Sequence, residues 1–228
     1  MNLTFADYIM GIKIAFSGMF VTLQITIVAV VLGICLGLII ALCKLSKYKI
    51  IRCLASTYIE LLRGTPLVVQ ALIVYAGVPT LLQSYEIMFR WDYPVVAGML
   101  VCGINSSAYV SEIIRAGLQA VDKGQMEAAR SLGMSHFKAM RLVIIPQAFK
   151  IILPSLGNEF IALVKETAVL SVISIVEITR KSMLWASATF MAWPAYLGTA
   201  FAYLTITIPL SRAVAIMERR MAQNDKSK

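Results

Sequence analysis

Thirty consecutive residues without a charged side chain, Ile14 to Cys43, lie near the start of the sequence. About 20 apolar residues in a helix are enough to cross the hydrocarbon core of a bilayer. The run therefore predicts a membrane-spanning helix that is tilted or that projects beyond the bilayer. The wider composition agrees, because 59% of the residues are hydrophobic and only 14% are charged, against about 25% charged in a typical soluble domain. The sequence predicts a polytopic membrane protein and excludes most classes of soluble enzyme.

Four further spans are predicted from the remaining apolar runs. They extend from about Tyr58 to Leu82, from Pro94 to Ile114, from about Ile151 to Val176, and within the uncharged run Ser182 to Ser211, starting near Pro194. The connections between these runs are short and carry no repeat or flexible linker. We therefore expect one all-α domain over residues 1–228, a bundle of five transmembrane helices.

The basic residues predict the orientation of this bundle. Most of the 21 Lys and Arg residues lie after the first span, between the third and fourth spans, and in the C-terminal tail. Basic residues concentrate in cytoplasmic loops, so the N-terminus is expected outside and the C-terminus in the cytoplasm. The formal charge of +9 is thus attributed to membrane orientation, and no nucleic-acid partner is expected.

No cofactor and no enzymatic activity are predicted for this chain. The four cysteines form no metal-binding spacing, and His136 is the only histidine, so a metal site lacks ligands. The sequence has no G-x-x-x-x-G-K-[ST] segment with which to hold nucleotide phosphates. No convergent set of catalytic residues lies in the predicted spans, so we predict no catalytic residue.

A polar segment of helical character, Arg115 to Lys150, separates the third and fourth spans. Asp122 and Gln125 resemble a capping box, in which each side chain bonds a backbone N–H of the first helical turn. Good helix formers follow, Gly133 is a plausible C-terminal cap, and Ser135 can begin a second helix from His136 to Ile145. The segment predicts a short helix, a glycine turn and a helix returning to the membrane, suited to the lipid surface or to a soluble partner.

Several motifs carry a resemblance to a known family. Glu127-Ala128-Ala129, Gly133 and Val143-Ile144-Ile145-Pro146 resemble the EAA loop of ABC importer permeases. Other segments are similar to the polar amino-acid subfamily, which includes histidine, glutamine, arginine and cystine permeases: Arg63-Gly64-Thr65-Pro66-Leu67, Pro146-Gln147-Ala148 and Asn158-Glu159.

The resemblance implies the type I ABC importer permease fold in a bacterial cytoplasmic membrane. Residues 115–150 would be a cytoplasmic loop whose coupling helix docks on a separate ATPase dimer, which binds ATP and Mg²⁺. The implied coupling residues are Glu127, Ala128, Ala129, Gly133 and Met134. A second permease chain, identical or different, and an external solute-binding protein are the other implied partners. The cargo would be an amino acid, of the polar class.

Polar residues inside the predicted spans are candidates for the transport path, because charges are costly in a bilayer. We hypothesise that Glu159 meets the amino group of the cargo, with Asn158 and Lys165 as further contacts. Lys165 can instead snorkel or pair with a neighbouring charge. Asn105 is another candidate, with hydrogen bonding between helices as its alternative. Arg63, expected near the cytoplasmic end of the second span, is either a gate residue or a membrane anchor.

Two other transport functions are compatible with the sequence. An ATP-independent channel or pore would also be a small bundle with buried polar groups, but it would not need the EAA loop. An exporter is possible in principle, although the subfamily motifs favour import.

Overall fold

The computed structural model describes the backbone of residues 3–226 and side chains up to Met221. This part contains α-helices, two π-helical segments and one 3-10 segment, and no strand. The α-helices are α1 (Phe5–Phe16), α2 (Met19–Lys44), α3 (Lys49–Gly64), α4 (Leu67–Leu72), α5 (Val78–Gln83), α6 (Pro94–Ala120), α7 (Lys123–Ser131), α8 (His136–Ala139), α9 (Ile145–Glu166), α10 (Ile178–Thr189) and α11 (Ala192–Lys226). The predicted all-α class is confirmed.

Within the described residues, four helical rods are long and apolar enough to cross a bilayer. They are Phe5–Lys44, Pro94–Ala120, His136–Ile173 and Ala192–Met221. Two further rods, Lys49–Gly64 and Leu67–Gln83, are apolar enough only when taken together, and their axes are bent by 101° at a short break. The structure thus has four spans, or five when the bent pair counts as one, and the bent pair corresponds to the predicted second span.

The second and fourth spans begin earlier than the sequence predicts. α3 starts at Lys49 rather than near Tyr58. The prediction misses its first turns because α3 is amphipathic, and its charged residues lower the hydropathy of this part of the sequence. The helix predicted to end at Ile145 instead continues through the π-helical segment Met140–Ile144 into α9. Pro146, which has no N–H to donate, directly follows the π-helical segment, where the Ile145 N–H bonds the Met140 carbonyl.

Three spans run in the same direction. α2 and α6 are parallel, since Gly33 lies against Ser106 and Gly37 lies further along α2 against Val110. α11 runs parallel to α1, because Gly11 packs on Pro194 and the Phe16 ring lies 6.3 Å from that of Phe201 further along. The ends of α2, α6 and α11 therefore lie on one side, called here the basic end, which carries Lys44, Arg115, Arg219 and Arg220.

Small residues allow the helices of the core to approach closely. A Cβ atom on Gly33 would lie 2.9 Å from the Ser106 Oγ, and one on Gly37 would lie 2.8 Å from the Val110 Cβ. Helix association in a bilayer depends on such close packing, because lipid tails are as apolar as the side chains. The α2–α6 pair is thus the centre against which α9 and the bent second span pack.

Candidate functional site

The segment between α6 and α9 forms a short, well-capped helix, as predicted. The Asp122 carboxylate accepts a hydrogen bond of 2.7 Å from the Gly124 backbone N–H at the start of α7. The second half of the predicted capping box is wrong, because the Gln125 side chain accepts from the Gln147 Nε2 at 3.1 Å instead. This bond joins α7 to the first turn of α9.

The turn after α7 has the hydrogen bonds of a Schellman motif. Gly133 has φ +79, a conformation that disfavours residues with a Cβ. Its N–H bonds the Arg130 carbonyl at 3.0 Å, and the Met134 N–H bonds the Ala129 carbonyl at 3.2 Å. Both bonds satisfy carbonyls at the end of the helix. Ser135 then begins α8 by accepting from the Lys138 N–H at 3.3 Å, as predicted.

The two faces of α7 differ in exposure. Ala129 is buried, and Met126 packs on the apolar cluster formed by α6 and α9. Glu127 and Ala128 are exposed on the outer face. Two large apolar side chains beside them are also exposed, Leu132 at 80% and Phe137 at 75%. The loop thus presents charged and apolar groups together on a rigid frame.

A cavity of about 440 Å³ lies between α3, α6 and α9. Its polar lining residues are Arg63, Tyr109, Glu112, Ser155 and Glu159. The Arg63 guanidinium carbon lies 5.2 Å from the centre of the Tyr109 ring, which is a cation–π contact. The cavity therefore contains one cation and two carboxylates, and both oxygens of Glu112 are already ion-paired, with Lys44 and Arg115.

Of the five candidate path residues, the structure brings Glu159 and Arg63 to this cavity. The Ser106 hydroxyl donates a hydrogen bond of 2.8 Å to the Glu159 Oε1, which fixes the carboxylate while its other oxygen stays available. Arg63 is not near the end of its span as expected from the sequence. It lies at the break between α3 and α4, where the neighbouring Leu62 carbonyl contacts Asn105, midway along α6.

Asn158 and Lys165 do not line the cavity. Both are exposed and lie seven residues apart on α9, on a face adjacent to that of Glu159. Because a helix repeats about every 3.6 residues, the two side chains lie on the same stripe. A polar stripe within a span requires a polar surrounding rather than lipid.

Asn105 is buried and takes part in hydrogen bonding between helices. Its Nδ2 donates to the Gln70 Oε1 at 3.1 Å and to the Leu62 carbonyl at 3.3 Å. The Gln70 Nε2 donates to the Leu62 carbonyl at 2.8 Å and to the Thr65 carbonyl at 3.1 Å. These bonds satisfy backbone groups that the break between α3 and α4 leaves unpaired. Asn105 thus forms hydrogen bonds between helices, which was the alternative to a role in lining the path.

Three further polar residues of the cavity are not predicted from the sequence: Tyr109, Glu112 and Ser155. A signal was present, since the lining residues of α6 recur at intervals of three or four, from Tyr109 through Ala116 to Ala120. On α9 the interval of four from Ile151 through Ser155 to Glu159 marks the facing stripe. Such stripes identify a helix face, but not which faces meet.

Residues 33–223 match the family described as binding-protein-dependent transport system inner membrane component. The chain belongs to this family. The match covers most of the chain, including every element that lines the cavity and the whole of the α7 loop.

Several relatives are permeases of amino-acid transport systems. The chain is 38% identical to the arginine transport system permease protein ArtQ of Bacillus subtilis over 99% of this chain and 100% of that protein. It is 37% identical to the putative glutamine transport system permease protein GlnP of Rickettsia typhi, covering 91% and 92%. It is 36% identical to the L-cystine transport system permease protein TcyB of Bacillus subtilis, covering 90% and 85%.

Solved structures agree with these relatives. A chain from a crystal structure of an amino acid ABC transporter with histidines is 46% identical and has a TM-score of 0.87, covering 96% of this chain and 100% of that one. A chain of the MetNI methionine ABC transporter, in an inward-facing conformation, has a TM-score of 0.73 at 15% identity, covering 92% and 96%, and supports the fold alone. The protein is a multi-pass ABC transporter permease with the importer permease fold.

Proposed function

We propose that the chain is the permease subunit of an ATP-driven importer of a polar amino acid in a bacterial cytoplasmic membrane. The observation that carries the proposal is the α7 loop, a helix capped at both ends and joined to α9 by the Gln125–Gln147 hydrogen bond. A rigid element of this kind transmits a displacement to the span that follows it. The substrates named for the relatives support the amino-acid class.

The exposed residues of the loop suit a docking site for a separate ATPase dimer. Glu127 and Ala128 face outward with Leu132, and the buried Ala129 holds the helix on the bundle. Gly133 and Met134 form the turn that fixes the direction of α8. We therefore propose that the part of residues 115–150 between α6 and α9 is cytoplasmic and that α7 is its coupling helix, with the basic end inside and the N-terminus outside. ATP and Mg²⁺ would be held by the ATPase.

The cavity suits an amino acid because it presents opposite charges. Glu159 would bind the ammonium group, and Arg63, which lies at the break in the second span, would act as a gate residue beside it. The exposed stripe of Asn158 and Lys165 would face a second permease chain and complete the path, since lipid does not accommodate it. Asn105 would act on the path through its bonds to Gln70 and Leu62. An external solute-binding protein would deliver the cargo.

The test is uptake in proteoliposomes that contain the complete transporter with its ATPase and binding protein. We expect uptake to require ATP and to be abolished by Glu127→Lys, because the reversed charge disturbs docking, while capture of the amino acid by the binding protein is unchanged. Glu218→Lys makes the same change at an exposed position of α11 and should leave uptake intact. Flux that persists without ATP would instead identify a channel or pore.

A further inference from the structure

A second cavity, of about 440 Å³, lies at the basic end of the bundle between α2, α3 and α6. Four of its lining residues are cationic: Lys44 at the end of α2, Lys49 and Arg52 in the first turn of α3, and Arg115 on α6. Ser56 and Gln119 add neutral polar groups to the same wall. The cavity does not share lining residues with the one that contains Glu159.

The positive charges of this cavity are only partly compensated. Glu112 pairs with both Lys44 and Arg115, at N–O distances of 2.5 Å and 2.7 Å. Lys49 and Arg52 are exposed, and neither forms an ion pair within the side chains that the structure describes, up to Met221. Four cations thus meet one carboxylate, and the excess charge favours an anionic ligand with several acceptor oxygens.

The surroundings of the cavity are those of a membrane surface. On α3, next to the cationic residues, Ile50 is 76% exposed and Leu54 is 68% exposed. Tyr48 is also exposed, and the Lys47 Nζ lies 5.2 Å from its ring centre. Exposed aromatic and basic residues beside apolar ones are typical of the boundary between hydrocarbon and water. A ligand here can place a charged group in the cavity and an apolar group along α3.

We propose that this cavity binds the phosphate of an anionic membrane phospholipid. Free phosphate has the same charged chemistry, but it would leave Ile50 and Leu54 uncovered, whereas acyl chains would cover them. Basic pockets between membrane helices on the cytoplasmic side bind lipid headgroups by this combination of charge and depth. The bound phosphate would contact Lys49 and Arg52, and it would approach Lys44 and Arg115 from the side opposite Glu112.

The test is native mass spectrometry of the complete transporter in detergent, titrated with dioleoylphosphatidylglycerol, dioleoylphosphatidylcholine or inorganic phosphate. The unchanged protein should bind phosphatidylglycerol more tightly than phosphatidylcholine. The double variant Lys49→Gln/Arg52→Gln should bind phosphatidylglycerol roughly 30-fold more weakly and phosphatidylcholine equally well. Both residues are exposed, so the variant should fold, and its circular dichroism spectrum checks this. Lys44 and Arg115 are left in place, because removing either would leave Glu112 with one partner fewer.

The matched control is Arg219→Gln/Arg220→Gln, which removes two exposed charges from the same end of the bundle but outside the cavity. It should bind phosphatidylglycerol as the unchanged protein does. Equal weakening in both double variants would mean that net charge alone attracts the lipid and would overturn the proposal. So would equal affinity of the unchanged protein for the two lipids. Displacement of phosphatidylglycerol by an equal concentration of inorganic phosphate would assign the cavity to a free anion instead.

Discussion

Buried polar side chains in this bundle have their hydrogen bonds satisfied. Among the described side chains, no buried nitrogen or oxygen lacks a partner. Two carboxylates illustrate different uses of such bonds. In Glu159, one carboxylate oxygen accepts a hydrogen bond from Ser106, and the residue lines the cavity. In Glu177, both oxygens accept hydrogen bonds from backbone N–H groups at the start of α10. The first is arranged to accept a ligand and the second to hold a helix.

For Glu159 we expect a specific loss of affinity for the cargo. Glu159→Gln keeps an oxygen that accepts from Ser106, so the fold should persist, but it removes the charge that would bind an ammonium group. Hydrogen bonds to charged groups are worth about 1.5–3 kcal/mol, so the KM for uptake should rise by roughly 10- to 100-fold. Uptake kinetics in proteoliposomes measure this, with the exposed Glu60→Gln as control. An unchanged KM would remove Glu159 from the path.

For Glu177 we expect a structural effect that depends on pH. The carboxylate accepts from the N–H groups of Thr179 and Arg180, each at 2.7 Å, and from the Tyr203 hydroxyl at 3.0 Å. Burial nevertheless raises its pKa above the ordinary value of 4.5. Because the folded chain then holds this proton more tightly than the unfolded chain, the contribution of Glu177 to stability is greatest below pH 4.5 and falls as the pH rises through the raised pKa.

Thermal unfolding in detergent across this pH range checks the expectation. The difference in Tm between the unchanged protein and Glu177→Gln should change as the pH rises above 4.5. Glu177→Ala should lower the free energy of unfolding by about 1–2 kcal/mol at acidic pH, because it removes a helix cap, and by less as the pH rises through the raised pKa. A constant difference for Glu177→Gln would contradict the raised pKa.

At the scale of elements, the break in the second span depends on one hydrogen-bonded pair. Gln70 and Asn105 bond each other and the backbone of Leu62 and Thr65. Without them, carbonyls at the break would lie unpaired at membrane depth, which costs several kcal/mol per group. The pair also holds the end of α3, and hence Arg63, beside Tyr109.

Gln70→Glu should therefore destabilise the break, because a carboxylate cannot donate to the two carbonyls. We expect a loss of about 1–3 kcal/mol in the free energy of unfolding, together with reduced uptake, since Arg63 loses its position. Gln83→Glu makes the same change at an exposed position of α5 and should alter neither quantity. Thermal unfolding and uptake are measured on the same preparations. Equal behaviour of the two variants would show that the break does not depend on Gln70.

The sequence predicts elements of this protein better than their contacts. Hydropathy identifies five spans, and local side chains such as Asp122, Gly133 and Ser135 identify the α7 loop, because these signals depend on near neighbours in the chain. The bent second span is predicted less well, since its stability comes from Asn105, which lies 35 residues from Gln70. The cavity is not predicted either, because it forms only where a stripe of residues on α6 faces a stripe on α9, and these helices are distant in the sequence. Lys44 and Glu112 likewise meet only in the fold.

At the scale of the whole molecule, the parallel α2 and α6 form a fixed centre, and the α7 loop and the bent span connect to it. Glu112 contributes to this arrangement from both sides. It lines the cavity that contains Glu159, and it pairs with Lys44 and Arg115, which line the second cavity at the basic end of the bundle. The two cavities are thus separated by one ion-paired side chain. A change in the spacing of α2 and α6 would therefore affect both.

The spacing of α2 and α6 can be tested at Gly37. A Cβ there would lie 2.8 Å from the Val110 Cβ and 2.9 Å from the Ser107 carbonyl oxygen, so Gly37→Ala forces the helices apart. We expect a loss of about 1–3 kcal/mol in the free energy of unfolding, which is typical of overpacking, and a lower Tm in detergent. Gly77→Ala is the matched control, since its Cβ would find the nearest atom at 3.9 Å and alanine favours helical backbone by about 0.5–1 kcal/mol over glycine. The two variants should therefore move the Tm in opposite directions. If Gly37→Ala unfolds at or above the temperature of the unchanged protein, the α2–α6 contact is not the centre of the fold.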